Sequence, residues 1–389
     1  MAKHLLFVAL FGHGHVNPTL PLVEELIRRG HRVDYATSAE HAEAVTRAGA
    51  RWVELPPIAP IDPPTEFGPE VFGTFLRHVF AGMRAAYPVL RDHCATERVD
   101  AVCYDAMNWS ARVVAEQLGI PAVQCLPHFA GNEHFSLFAE FTHGPGGENV
   151  FAKALGPDCA EFAAEFGVEL DPAQMDVTEK LNLVFIPREF QPAGDTFDER
   201  YHFIGPSVGS RADEEWSPPD ADKPVLFISL GTVFNDRPEF YRTCLEAFGD
   251  GAYHVAMTVG GVDPDALGPI PECFDIRSRF PQPAVLRRAA AFVSHTGMNS
   301  TMEALYYGVG LVAVPQMPEQ AANAERAREL GLGERLDART LTAESLRAAV
   351  DRVASGAEVR ANLDRMREVV RSSGGAVRGA DLIEEYLGG

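Results

Sequence analysis

The sequence holds no uninterrupted apolar run of about 18 residues, the length that a membrane-spanning helix needs. Its early apolar stretch, HLLFVAL at 4–10, is short and runs into Gly12 and His13. It reads as a buried first strand rather than a signal-peptide core, so the expected location is the cytoplasm. Cations are scarce: 34 Lys and Arg face 55 Asp and Glu, a formal charge of −21. Such a surface repels a phosphate backbone or an anionic bilayer, which argues against nucleic acid and membrane as partners. The six cysteines (Cys94, Cys103, Cys125, Cys159, Cys244, Cys273) include no C-x-x-C pair and no His at zinc-finger spacing, so reduced core thiols are expected and structural zinc is not. A P-loop is also missing, and GHGHVN after the first strand lacks the third Gly of G-x-G-x-x-G, which disfavours a dinucleotide oxidoreductase.

What is present is a chain of 389 residues, 46% hydrophobic, long enough for two domains that each bury a core. Short apolar runs alternate with amphipathic stretches. Residues 4–10, 31–37, 50–55, 101–105 and 121–126 read as strands, and the series restarts at 224–230, 253–259, 274–280, 291–295 and 311–315. The first helix is expected to start with Asn17 as N-cap and Pro18 at N1, and to end at Gly30. This βαβ alternation predicts an α/β chain of two Rossmann-like, doubly wound parallel sheets. Residues 205–223, rich in Gly, Pro, Ser and acids, read as the linker. The expected domains are 1–208, 223–375 and a closing helix at 376–389. Each half places a His where a strand hands over to a helix, at the carboxyl edge where such sheets bind ligands.

The segment 294–320, SHTGMNSTMEALYYGVGLVAVPQMPEQ, carries the clearest chemistry. After a strand ending at Ser294, His295, Gly297, Asn299 and Ser300 open a helix whose free N–H groups favour an anion. Upstream stands Arg279-Phe280-Pro281-Gln282, and the first strand of the second series is followed by Ser229-Leu230-Gly231-Thr232. In the first half, GHGHVNP at 12–18 offers His13 and His15, and Asp105 ends the strand AVCYD. Imidazole suits removal of a hydroxyl proton at neutral pH, and a carboxylate behind it would fix its tautomer.

H-x-G-x-N-S-x-x-E followed by an acid-Gln pair resembles the donor signature of the family 1 glycosyltransferases, and the wording here is most similar to bacterial macrolide and flavonoid glucosyltransferases. The resemblance implies a GT-B fold, its two domains facing across a cleft, with acceptor on the first and nucleotide sugar on the second. It implies that His295, Asn299, Ser300 and Thr232 hold the diphosphate, Glu303 the ribose, and Glu319 and Gln320 the sugar hydroxyls, with Gly297 allowing close approach. Arg279 and Phe280 stand where the family has an aromatic that stacks on the base, with Gln282 near base and ribose, which leaves UDP and dTDP both open. His13 matches the base and Asp105 its partner acid. Phe67, Phe75, Met83, Met107 and His128, among other aromatics near 67–138, are either an acceptor pocket or helix core, and the Pro-rich 56–70 suits a rim to that pocket. The activity implied is inverting transfer of a hexose, UDP-glucose favoured, to a hydrophobic natural product with no bound cofactor or metal. The alternatives are a dTDP-deoxysugar transferase and a UDP-N-acetylglucosamine 2-epimerase-like isomerase.

Overall fold

The structure, a computed structural model, describes residues 1–9, 12–57, 69–137, 150–172 and 177–388, with 69–72 and 150–151 described by backbone alone. Phe67 and Phe138, most of the Pro-rich 56–70 and the side chain of Phe72 lie outside the described residues. The chain forms two compact units, Met1–Ser207 with Ser373–Gly389, and Val208–Ser372.

The first unit runs β1 (His4–Val8), α1 (His13–Val16), α2 (Leu20–Arg28), β2 (Arg32–Thr37), α3 (Ala42–Arg47), β3 (Arg51–Glu54), α4 (Pro69–Glu97), β4 (Ala101–Asp105), α5 (Trp109–Leu118), β5 (Ala122–Leu126), α6 (Val150–Phe166), β6 (Asn182–Val184) and β7 (Tyr201–Phe203). Its described strands pair in parallel in the order β3-β2-β1-β4-β5-β6-β7. Alternation along β1 explains why both faces must be covered: Leu5 and Phe7 pack with Leu22, Val23 and Leu26 of α2, while Leu6 and Val8 pack with Leu76, Phe80 and Met83 of α4.

The second unit runs β8 (Val225–Ser229), α7 (Pro238–Phe248), β9 (His254–Thr258), β10 (Phe274–Arg277), α8 (Gln282–Leu286), β11 (Ala289–Ser294), α9 (Met298–Tyr307), β12 (Gly310–Ala313), α10 (Pro318–Glu329), β13 (Gly333–Arg335), α11 (Ala343–Ser355) and α12 (Ala357–Ser372). Its described strands pair in parallel in the order β10-β9-β8-β11-β12-β13. Residues 208–223 are tied to this unit. Trp216, 8% exposed, lies against the rings of His254 and Phe280.

The closing helix, α13 (Gly375–Gly388), belongs to the first unit and packs on α2. Arg29 binds Asp381 and Glu384 at 2.7 Å each, and Ala380, Leu382 and Ile383 enter the core beside Leu22. Ile383 is fully buried, so Ile383→Ala is expected to cost about 3 kcal/mol by leaving a cavity, read as a lower urea midpoint.

The start of α2 differs from expectation. Asn17 ends the single turn α1, its N–H bonding His13 O, and Thr19 is the residue before α2. Thr19 Oγ1 donates to Val16 O at 2.9 Å, which closes the chain into a second short turn before Pro21 allows the helix to run. All six cysteines are free thiols, and burial pushes Cys94 and Cys159 up to about 12, which removes them as nucleophiles at neutral pH. Among the described residues, no helix is long and apolar enough to cross a membrane.

Candidate functional site

Both sheets reverse their strand order at one point, between β1 and β4 in the first unit and between β8 and β11 in the second. At such a point the connections leave in opposite directions and open a crevice beyond the carboxyl ends of the strands. His15 and Asp105 lie at the first of these places, after β1 and at the end of β4, and Thr232 and His295 at the second, after β8 and β11.

In the first unit, α1 follows β1 and brings His15 Nδ1 to 2.7 Å from Asp105 Oδ2. Asp105, at the end of β4, is 4% exposed, whereas the His15 side chain is 33% exposed, so the pair is a shielded carboxylate behind an accessible ring. Asp105 Oδ1 accepts the Met107 N–H at 2.9 Å, which fixes the carboxylate plane. The expected pairing of Asp105 with His13 is thereby corrected. The His13 ring instead meets His41 edge-on, with centroids 4.8 Å apart. The cause is helical geometry: within the single turn His13–Val16, two residues are separated by more than half a revolution and face different ways.

The acceptor candidates divide. Met107 and His128 are half-buried, with Met107 beside Asp105 and His128 Nδ1 2.8 Å from Phe129 O. Met83 is corrected to core: it is 3% exposed and its Sδ accepts the Trp109 N–H. Phe75 packs on the edge of that same core.

In the second unit, β11 delivers His295 to the turn before α9. A Cβ added to Gly231 or to Gly297 would stand 2.6 Å from His295 Nε2, so the ring fits only because both neighbours lack side chains. Burial pulls the imidazole down to about 4, which makes it neutral at pH 7, and its Nδ1 has no partner among the described residues. No side chain caps α9 at Gly297, and its first turn contains no acid, so the N–H groups at the helix start are left for an anion. Thr232 is exposed on the turn after β8, and Asn235 Nδ2 donates to Gly231 O at 2.9 Å and closes that turn.

Unfolded His titrates near 6.5, whereas buried His295 titrates at about 4. Between these values the unfolded chain binds the extra proton, so the contribution of the neutral His295 is fully present above pH 6.5 and is lost as the pH falls toward 4. The loss due to His295 is on the order of 3 kcal/mol in urea unfolding, and His295→Gln is expected to reduce the acid loss by about that amount, leaving the smaller part due to His202 and His254, which burial shifts the same way.

Glu303 is 2% exposed and accepts from three protein donors: Arg211 Nη1 at 2.6 Å, Gln282 Nε2 at 2.8 Å and Asn299 Nδ2 at 3.0 Å. Gln282 also reaches Ser300 Oγ at 3.2 Å, so the four expected residues Gln282, Asn299, Ser300 and Glu303 form one network. Arg211 was not legible in sequence, since it lies in the linker stretch 92 residues from its carboxylate. Phe280 is corrected to core: it is 5% exposed, against Phe227 and Trp216 and beneath the Arg277 guanidinium at 4.8 Å. Arg279 remains exposed beside it. At the start of α10, Gln320 Oε1 accepts the Gln316 N–H at 2.8 Å and Glu319 Oε1 accepts from Asn323 at 2.5 Å.

His4, Asp34 and Glu97 also bring ligand-type atoms within 4.8 Å of one another. Arg51 fills that cluster, at 2.6 Å from Asp34 and 2.9 Å from Glu97, so its charge is already compensated.

The sequence model of the family described as UDP-glucoronosyl and UDP-glucosyl transferase matches residues 208–372. An NDP-glycosyltransferase of Bacillus licheniformis is 37% identical over 99% of this chain and 98% of its own length. A demethyllactenocin mycarosyltransferase of Streptomyces fradiae is 36% identical over 99% of this chain and 86% of its own. A crystal structure of a calicheamicin glycosyltransferase aligns at TM-score 0.85 with 38% identity, covering 100% of this chain and 99% of that one. Each of these is a transferase, and none supports the isomerase alternative. The chain belongs to the UDP-glucoronosyl and UDP-glucosyl transferase family, the family 1 glycosyltransferases of GT-B fold, and is a glycosyltransferase.

Proposed function

We propose that the protein transfers a hexose, glucose in the first instance, from a UDP-sugar to a hydroxyl of a hydrophobic natural product such as a macrolide, polyketide or flavonoid, with inversion at the anomeric carbon. The observation that carries this reading is the 2.7 Å contact of Asp105 with an accessible His15. His15 takes the acceptor proton through Nε2, while Asp105 holds the Nδ1–H tautomer and offsets the positive charge that forms. The oxygen attacks the anomeric carbon as the bond to the diphosphate breaks, and an α-linked donor yields a β-glycoside. Charge on the departing diphosphate falls to the N–H groups that start α9 and to His295, Ser300, Asn299 and Thr232. Met107 and His128 line the acceptor side.

Glu303 binds ribose through whichever lone pair its three protein donors leave, or by displacing Arg211. Arg279, exposed and planar, covers the base in place of an aromatic ring. The mycarosyltransferase relative favours a second reading of the donor, a deoxysugar nucleotide. Incubation of the full chain with UDP-glucose or a dTDP-deoxysugar, each with a pool of macrolides and flavonoids, separates the two. Acceptor-dependent UDP release with a mass gain of one hexose is the expected result. Acceptor-dependent dTDP release alone establishes the second reading, and release from neither donor overturns both.

A further inference from the structure

Thr296 stands between His295 and Gly297 with φ of 59°, a left-handed conformation that a β-branched residue adopts only when its surroundings hold it there. Three bonds do so: its N–H reaches Ser294 Oγ at 3.0 Å, its Oγ1 lies 3.0 Å from Gln320 O, and its carbonyl accepts from Asn323 Nδ2 at 3.0 Å. Asn323 is fully buried, one helical turn after Glu319 on α10, and the same Nδ2 lies 2.5 Å from Glu319 Oε1.

We infer that Asn323 is a positioning residue that sets the carboxylate of Glu319 relative to the His295–Gly297 turn, and through it the sugar selectivity of the enzyme. An amide nitrogen has two hydrogens, and here each has an acceptor, so both are committed. The amide cannot be reversed, because its oxygen would then face two acceptors. That oxygen has no partner among the described residues, so the position is built around the NH₂ group and not around the amide as a whole. One bond holds the backbone carbonyl of the turn that presents His295, and the other holds the acid that reads the sugar. Asn323 therefore ties the turn directly to the Glu319 carboxylate, whereas the bond from Thr296 Oγ1 to Gln320 O ties the turn only to the backbone of α10. Loss of Asn323 leaves Thr296 its bonds to Ser294 Oγ and Gln320 O, whereas Glu319 loses a charge-assisted donor. The effect accordingly falls on the sugar more than on the nucleotide.

This inference rests on the reading of Glu319 as a sugar ligand. The test compares the kcat/KM ratio for UDP-glucose over its 4-epimer UDP-galactose in the wild type, Asn323→Ala, Asn323→Ser and Glu319→Gln, with calorimetric affinity for UDP as the control. Asn323→Ala is expected to lower the ratio about tenfold and kcat for UDP-glucose about thirtyfold, and to leave UDP affinity within about threefold. Asn323→Ser, which keeps one donor, is expected to fall between, and it provides the same reading if the Ala variant does not fold. In a Glu319→Gln background, Asn323→Ser is expected to add no further loss of ratio. An unchanged ratio in a folded variant, or a UDP affinity that falls in step with kcat, overturns the proposal. A wild type that turns over neither nucleotide sugar instead overturns the reading on which it rests.

Discussion

His15→Ala is expected to lower kcat about a thousandfold while leaving UDP affinity unchanged. General-base catalysis by a positioned imidazole contributes about 10²–10⁴-fold, and an alcohol acceptor with no base must lose its proton to water. His15 is not among the residues proposed to hold the diphosphate, His295, Asn299 and Ser300, so removal of its ring is expected to leave nucleotide binding unaltered. His13→Ala, which leaves the His15–Asp105 contact intact, is expected to keep kcat within about tenfold. Asp105→Asn is expected to fall between, near a hundredfold, because the amide keeps the shape but presents either an N–H or an uncharged oxygen to Nδ1. Rapid-quench measurement of glycoside formation, with UDP calorimetry on each variant, reads these terms apart.

Gly231→Ala is expected to produce the largest loss of nucleotide affinity among single methyl additions in the second unit. Its φ of 83° is strained for any residue with a Cβ, and the new methyl would stand 2.6 Å from His295 Nε2 and 2.7 Å from Cε1. Space on the Gly297 side is equally tight, since a Cβ built there would also stand 2.6 Å from His295 Nε2. Either the turn after β8 moves, taking Thr232 with it, or His295 leaves its place above the start of α9. The expected result is a tenfold or greater rise in the UDP Kd with about 2 kcal/mol lost in urea unfolding. Gly261→Ala is the control: it lies on a turn of the same unit and meets no atom within 4 Å, so both quantities should stay unchanged.

The layout of strands was legible because parallel strands buried on both faces are continuous apolar runs of four to six residues, as in VLFIS at β8 and AVCYD at β4. β6, β7 and β13 were not, since three residues each give too short a pattern to stand out from a loop. The site divides along similar lines. His295, Asn299, Ser300 and Glu303 were legible because they sit within one turn and helix, where spacing in sequence is spacing in space. The choice between His13 and His15 was not, because both share one loop and only the reach of Asp105, 90 residues away, separates them. Arg211 and Asn323 act across similarly long or indirect paths, and Phe280 was misread because an aromatic next to an exposed arginine gives no sign in sequence of which one turns inward.

The central claim is that a base in the first unit drives one direct displacement at the anomeric carbon of a nucleotide sugar. The most direct measurement is the proton NMR spectrum of the glycoside that the wild-type chain forms from α-linked UDP-glucose, recorded before the product can equilibrate. A large anomeric coupling, the mark of a β-glucoside, is the result this account predicts. A small coupling, the mark of an α-glucoside, would mean retention and would contradict a single displacement by a hydroxyl deprotonated at His15.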